Sequence, residues 1–339
     1  MSLRRVAAGA LAVAAAGVAG FWWWGLRTPA YPLPELKGQL ATGQLDHGGA
    51  SRSYLVYVPP RRAEPAPVVL VLHGSAASGE RMRRATGAAF DELADQHGAV
   101  VVYPDGQLDH WNDCRTAPGN PARAAAVDDV GFLRGLVAGL AADPALAGQP
   151  VDDRRVFVFG LSNGGHMGLR LALEAPDLVA GVTAVAATLP VAGNSDCVAS
   201  GRAVPVLFIN GDKDPVSPYD GGTVTLLGPF GNRGDVQSAG SSVHYFQKLA
   251  GYGSGPFEHR YPDEDAADGT VATRQVWAEP GRPEVALITI HGGGHTIPHP
   301  RKQFPRIFGR TSHDLSAAAE AWRFFLRQPP AGATGGGAS

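Results

Sequence analysis

One short segment constrains this chain more than any other: Val156-Phe157-Val158-Phe159-Gly160-Leu161-Ser162-Asn163-Gly164-Gly165. Its apolar start alternates β-branched and aromatic residues, as expected of a strand buried on both faces. The stretch from Gly164 to Glu174 then reads as a helix, which Pro176 stops. A strand that runs into a helix within so few residues must turn sharply. Glycines two positions before and after Ser162 leave room for that turn and for close strand–helix packing. Such a unit belongs to layered α/β architecture with a mostly parallel sheet.

The rest of the chain fits that expectation. Val68-Leu72, Ala99-Tyr103, Val156-Gly160, Gly181-Ala186, Val204-Ile209 and Glu284-Ile290 are short apolar runs that predict central strands. Leu40-Leu45 and Ser53-Val58 predict an antiparallel opening pair around Gly48-Gly49. Helical patterns occupy Arg81-His97, Ala124-Ala142, Gly164-Glu174 and Ser312-Leu326. From Gly221 to about Val276 the regularity breaks, apart from a helix predicted at Ser241-Leu249. That region reads as an insertion over the C-terminal strand ends, where open α/β sheets bind ligands.

The chemistry follows from Ser162. The strand–turn–helix context makes it a nucleophile elbow of the α/β-hydrolase type, with its hydroxyl exposed at the sheet's rim. A serine hydroxyl needs a base to take its proton. In this arrangement an Asp or Glu and then a His follow the serine along the chain. The strand Val206-Ile209 leads into Asn210-Gly211-Asp212-Lys213-Asp214, so Asp214 and Asp212 both qualify. The strand Val285-Ile290 leads into His291-Gly292-Gly293-Gly294-His295. The glycines before His295 would let its imidazole reach the serine; His291, at the strand end, reads as structural. Oxyanion donors are expected from the backbone N–H of Asn163 and that of Ser75, in the loop after Val68-Leu72. His73 reads as scaffold, and His166, one turn into the elbow helix, as packing or pocket lining. No H-E-x-x-H, C-x-x-C or strand-borne G-x-G-x-x-G occurs, so neither a metal nor a cofactor is expected. The acidic run Asp263-Glu264-Asp265 with Asp268 lacks calcium-loop spacing and reads as a solvated loop.

The termini concern location. Arg4 and Arg5 precede an uncharged stretch from Val6 to Leu26, long enough at ~1.5 Å per residue to cross a bilayer as a helix. Residues 1–27 therefore read as a signal peptide or an N-terminal membrane anchor, with Trp22-Trp23-Trp24 as an interfacial belt. Export to the periplasm or the extracellular space, or anchoring on the outer face of the membrane, is expected. Residues 28–35 form a Pro-containing linker, 36–328 the catalytic domain and 329–339 a disordered tail. The two cysteines, Cys114 and Cys197, are expected to form a disulfide in an exported chain. The formal net charge of -2 gives no reason to expect nucleic acid as a partner.

Leu72-His73-Gly74, Tyr103-Pro104-Asp105-Gly106, Trp111-Asn112-Asp113-Cys114, Val127-Asp128-Asp129-Val130-Gly131-Phe132, Gly160-Leu161-Ser162-Asn163-Gly164-Gly165, Asn210-Gly211-Asp212-Lys213-Asp214 and Gly292-Gly293-Gly294-His295 occur in this order. Together they resemble the poly(3-hydroxybutyrate) depolymerase / feruloyl esterase group of secreted hydrolases, which includes the LpqC-like lipoprotein esterases. The resemblance spans about Leu36 to Leu326. It implies an α/β-hydrolase fold, ester substrates and a Ser–Asp–His triad in which Asp214 rather than Asp212 is the carboxylate and His295 the base. Two departures stand out. No cysteine precedes Cys114 to carry the lipid of the lipoprotein members, and Thr296-Ile297 stand where an aromatic residue usually follows the histidine. Hydroxyalkanoate oligomers, feruloyl or acetyl polysaccharide esters and small esters all fit. Specificity is expected in the 221–276 insertion and the loop around Trp111. The rivals are a non-catalytic binding protein of the same fold and a serine peptidase or amidase.

Overall fold

The computed structural model describes residues 17, 20, 21, 23–143, 146, 150–226 and 231–332. Most of the predicted export segment, and residues 333–339 of the predicted tail, lie outside the described residues. Among the described residues no helix is long and apolar enough to cross a membrane.

A ten-stranded sheet organises the chain, in the order β1-β2-β4-β3-β5-β6-β7-β12-β11-β10. Its parallel centre comprises β3 (Ala66–Leu72), β4 (Val100–Pro104), β5 (Val151–Leu161), β6 (Gly181–Val185), β7 (Val206–Gly211) and β12 (Val285–His291). Each overlaps one of the six predicted central strands. At one edge β1 (Gln39–His47) and β2 (Ala50–Val58) form the expected antiparallel pair. Gly48 and Gly49 turn it with φ of 60° and 79°, a backbone that glycine adopts without strain. At the other edge β10 (Phe257–Arg260) and β11 (Val271–Trp277) continue antiparallel to β12.

The period-two alternation of the central strands feeds two apolar layers. Val68, Leu70, Leu72, Val156, Val158, Val206 and Phe208 point to one face. Helices α3 (Asp129–Gly139), α4 (Asn163–Glu174) and α5 (Ala239–Leu249) cover it with Phe132, Leu136, Met167, Leu171, Val243 and Phe246. Val69, Val71, Phe157, Phe159, Leu207 and Ile209 point to the other face. There α1 (Gly79–Ala85), α2 (Ala89–His97) and α6 (Ala317–Leu326) supply Met82, Phe90, Trp322, Phe324 and Phe325.

Three expectations need revision. The helix predicted at Arg81-His97 is two helices, because Gly87 and Ala88 take φ of 65° and 56° between α1 and α2. The one predicted at Ala124-Ala142 is interrupted at Ala126, with φ of 50°, and restarts where Asp128 caps α3 by accepting from Gly131 N–H at 2.8 Å. The region 221–276 is only in part an insertion. Its first section is a two-stranded hairpin, β8 (Gly222–Thr225) with β9 (Asn232–Val236), outside the main sheet. The remainder is α5, which connects β7 toward β12, and the edge strands β10 and β11. β10 is exposed, and β11 mixes polar with apolar residues at partly buried positions, so no apolar run announces them.

Cys114 and Cys197 are bonded, as expected, and tie the loop after β4 to the segment after β6 across 83 residues of chain. The constraint on the unfolded chain is large for a loop of this length. Replacing both cysteines by serine should cost about 2–5 kcal/mol of unfolding free energy. Denaturant titration of the oxidised protein and the double variant checks this.

Candidate active site

Ser162 sits between β5 and α4 with φ 52° and ψ -118°, a conformation that non-glycine residues rarely adopt. Its N–H donates to Val185 O at 2.8 Å and its carbonyl accepts from His166 N–H at 2.8 Å. Both backbone groups are thus committed to the turn. The flanking glycines are a steric requirement. A Cβ on Gly160 would lie 2.1 Å from Gly164 O, and one on Gly164 would lie 2.4 Å from Leu72 O. A Cβ at Gly74 would touch Ser162 Cβ at 3.7 Å, so the loop carrying Ser75 runs beside the serine. Asn163 begins α4, where first-turn N–H groups have no partner within the helix.

The side chain of Asn163 is occupied elsewhere. Its Oδ1 accepts from Trp111 N–H at 2.8 Å, while Nδ2 donates to Trp111 O at 2.9 Å and Asp113 Oδ2 at 2.7 Å. Trp111 is fully buried, and its indole donates to His73 O at 2.9 Å. It braces the loop after β3 from within, so in the loop around Trp111 this side chain is a strut rather than a surface for substrate. His73 is also buried: Nε2 accepts from Gly106 N–H at 2.8 Å, which leaves Nδ1 to donate to Gly74 O at 2.7 Å. That is the scaffold role expected of it. Asp129 accepts from Asn112 N–H at 2.7 Å and from Arg52 at 2.8 Å. The sequence reading recognised the segments around Trp111 and Asp129 but assigned neither this role.

Beyond the ends of β7 and β12 the two candidate aspartates take different partners. Asp214 Oδ2 accepts from His295 Nδ1 at 2.7 Å, and Oδ1 accepts from Val216 and Ser217 N–H at 2.7 and 2.8 Å. Both side chains are buried. With Nδ1 donating to the carboxylate, Nε2 is the nitrogen with a free lone pair. Asp212 instead accepts from Gly292 N–H at 2.7 Å and meets His291 Nδ1 at 3.2 Å. His291 Nε2 lies 3.0 Å from Thr273 Oγ1, so that ring is tied at both ends. The pairing of Asp214 with His295 is the one the family resemblance implied.

His166 lies beneath this region, one helical turn from Ser162. Burial first, then the Arg115 charge, push its pKa down to about 3, against the opposing pull of Asp113. Asp113 itself is raised by burial but held at about 2 by the charge and hydrogen bonds of Arg115. A hollow of about 620 Å³ lined by Phe257, Tyr261, Arg274 and Glu320 contains none of these groups. Its charges are mutually paired, Arg274 with Glu284 and Glu320. In the acidic loop, Asp268 accepts from the N–H groups of Thr270 and His313.

A chain named "Putative esterase NocK", from Nocardia uniformis subsp. tsuyamanensis, is 32% identical over 309 residues, covering 88% of this chain and 86% of that one. The chain belongs to the α/β-hydrolase esterase family. A family model described as phospholipase/carboxylesterase matches residues 140–230 of this esterase, the stretch that holds Ser162 and Asp214. The esterase is also 35% identical over 145 residues to a poly(3-hydroxybutyrate) depolymerase of Ralstonia pickettii, covering 40% of this chain and 29% of that one. Among solved structures, an acetyl xylan esterase from Aspergillus awamori superimposes with a TM-score of 0.53 at 17% identity. That match covers 76% of this chain and 95% of the other, a likeness of fold.

Two predictions follow from the esterase's geometry. Asp214→Asn should lower turnover by on the order of 10³- to 10⁴-fold, because the amide no longer holds the imidazole in the required tautomer. Asp212→Asn should cost less than about 10-fold, since His291 is tied elsewhere. Steady-state kinetics on one ester decide between the two aspartates. The second concerns acid stability. The folded pKa of His166, about 3, lies below its unfolded value of about 6.5. Stability from keeping it neutral is therefore complete above that unfolded value and is lost as pH falls toward the folded one. The loss should approach ~1 kcal/mol per pH unit. Denaturant midpoints from pH 7 to pH 4 should fall less steeply for His166→Gln than for the parent.

Proposed function

We propose that this chain is an exported serine esterase that hydrolyses carboxylic esters through an acyl-enzyme on Ser162. The observation that carries the reading is the buried Asp214–His295 bond of 2.7 Å beyond the ends of β7 and β12, in the same sheet whose β5 ends in the strained Ser162 turn. His295 Nε2 takes the Ser162 proton as Oγ attacks the ester carbonyl. Asp214 stabilises the resulting imidazolium, and its own two backbone hydrogen bonds keep it in position. The oxyanion is held by the N–H of Asn163 and that of Ser75. The imidazolium then protonates the leaving alcohol, and the neutral ring activates a water that frees the acid. Every step is a proton transfer or an acyl transfer carried by these side chains.

Esters of hydroxy acids and acyl esters of polysaccharides are the substrate classes in view, in keeping with the names of the relatives. Export rests on Arg4, Arg5 and the apolar run that follows, and on the Cys114–Cys197 bond, which suits an oxidising compartment.

Ser162→Ala should leave the melting temperature within a few degrees of the parent and lower turnover of p-nitrophenyl acetate by about 10³-fold or more. Labelling by a fluorophosphonate should vanish with it. Hydrolysis that survives the substitution, or a parent protein that neither labels nor turns over esters, would sink the assignment. Parallel assays on matched amides separate an esterase from an amidase.

A further inference from the structure

The ten-stranded sheet ends at β10, which pairs with β11 on one side and is exposed along its whole length. Phe257, its first residue, is 74% exposed. An open edge offers a row of backbone N–H and C=O groups to any strand that can lie against it. Which groups point outward follows from the ladder. Tyr261 N–H donates to Ala272 O at 3.0 Å, so Tyr261, His259 and Phe257 bond inward to β11. Glu258 and Arg260, between them, turn their N–H and C=O groups outward.

The segment is self-complementary when reversed: Pro256-Phe257-Glu258-His259-Arg260-Tyr261-Pro262. A second copy laid antiparallel must set outward-pointing residues opposite one another. With the twofold axis at His259, Glu258 of each copy faces Arg260 of the other, and each such pair exchanges backbone N–H···O bonds. Opposite charges then meet across the seam. Phe257 of each copy faces Tyr261 of the other, and the prolines, which lack an N–H, end the pairing on both sides. An axis at Glu258 or at Arg260 would instead set like charges opposite. The side chains are available for this. Arg260 has no ion pair or hydrogen bond among the described residues. Glu258 Oε1 accepts from Gln275 Nε2 at 2.7 Å, which leaves Oε2 for a cation. Phe257, His259 and Tyr261 lie on one face of the strand and line the hollow of about 620 Å³. A second copy would bring its own Phe257 to that hollow and remove apolar surface from water.

We propose that β10 pairs with its counterpart in a second copy of this chain, giving a twofold dimer whose sheet runs continuously through the axis at His259. Charges on an open edge ordinarily keep strands apart. Here each charge is answered by the same strand reversed, so the edge selects its own kind. The seam lies two strands beyond β12, whose following loop carries His295. The pairing is independent of the esterase reading and is tested without reference to turnover.

Sedimentation velocity on the purified full chain, from about 1 to 100 µM, should show the mass double across that range, as a small interface allows. Glu258→Arg alone and Arg260→Glu alone should each dissociate at a concentration higher by about 10-fold or more. Mixed in equal amounts, the two variants should associate again, because each supplies the charges the other lacks. A covalent readout checks the register. Across the axis His259 forms a non-hydrogen-bonded pair with itself, with Cα atoms ~4.5 Å apart, within reach of a disulfide. The two native cysteines are bonded to each other and do not compete. Under mild oxidation His259→Cys should cross-link into a dimer, whereas Leu108→Cys, at an exposed position in the loop after β4, should not. A parent that stays monomeric at about 100 µM, association that neither charge reversal weakens, single variants that do not associate when mixed, or a His259→Cys that cross-links no better than Leu108→Cys overturns the edge pairing.

Discussion

The arrangement depends on how closely one strand end can approach one helix start. β5 reaches α4 with Ser162 alone between them, and the crossing is too tight for any side chain at Gly160 or Gly164. That contact forces Ser162 to φ 52°, at a cost on the order of 1–3 kcal/mol. The neighbourhood sustains the cost because it is anchored on both faces. Val158 and Met167 lie in one apolar layer, Phe159 in the other, and Val185 O accepts the Ser162 N–H. A looser crossing would relax the serine into ordinary geometry and withdraw its hydroxyl from the rim.

The histidine side of the site is built on a different principle, that of a doubled clasp. β7 and β12 are parallel neighbours, with Ile209 opposite Ile288 and Gly211 opposite Ile290, so their following loops leave the sheet together. Asp212, just past the end of β7, and His291, the last residue of β12, meet first. Asp214 and His295, farther along, meet next and are far more buried. The inner pair, secured by Gly292 N–H and Thr273, closes the ends of the strands and fixes where the second loop begins. The outer pair can then be held by few contacts: two backbone donors on Asp214 and the His295 N–H to Phe308 O at 2.7 Å. Identical residue types at similar spacing thus serve unlike ends, one mechanical and one chemical.

How much of this the sequence reveals varies with the physical cause. The central strands are legible because burial on both faces demands apolar residues throughout. β10 and β11 are not, because the exposed edge strand β10 accepts Glu258 and His259, and β11 beside it, only partly buried, accepts Arg274 and Gln275. The helix break at Ala126 leaves no trace, since alanine is a good helix former and its positive φ is imposed from outside; at the break before α2 only Gly87 marks the place. Ser162 and His295 are legible through the glycines around them, where the backbone geometry itself limits the residue type. The choice between Asp214 and Asp212 is not legible from local physics, because both follow the same strand and only tertiary hydrogen bonds separate them. The brace of Asn163, Trp111 and Asp113 joins residues some fifty positions apart and exists only once the sheet has formed.

Each well-buried guanidinium meets a carboxylate. Arg52 has Asp129, Arg83 has Asp91, Arg115 has Asp113, and Arg274 has both Glu284 and Glu320. This is the expected rule, since a guanidinium taken from water without a partner is strongly destabilising.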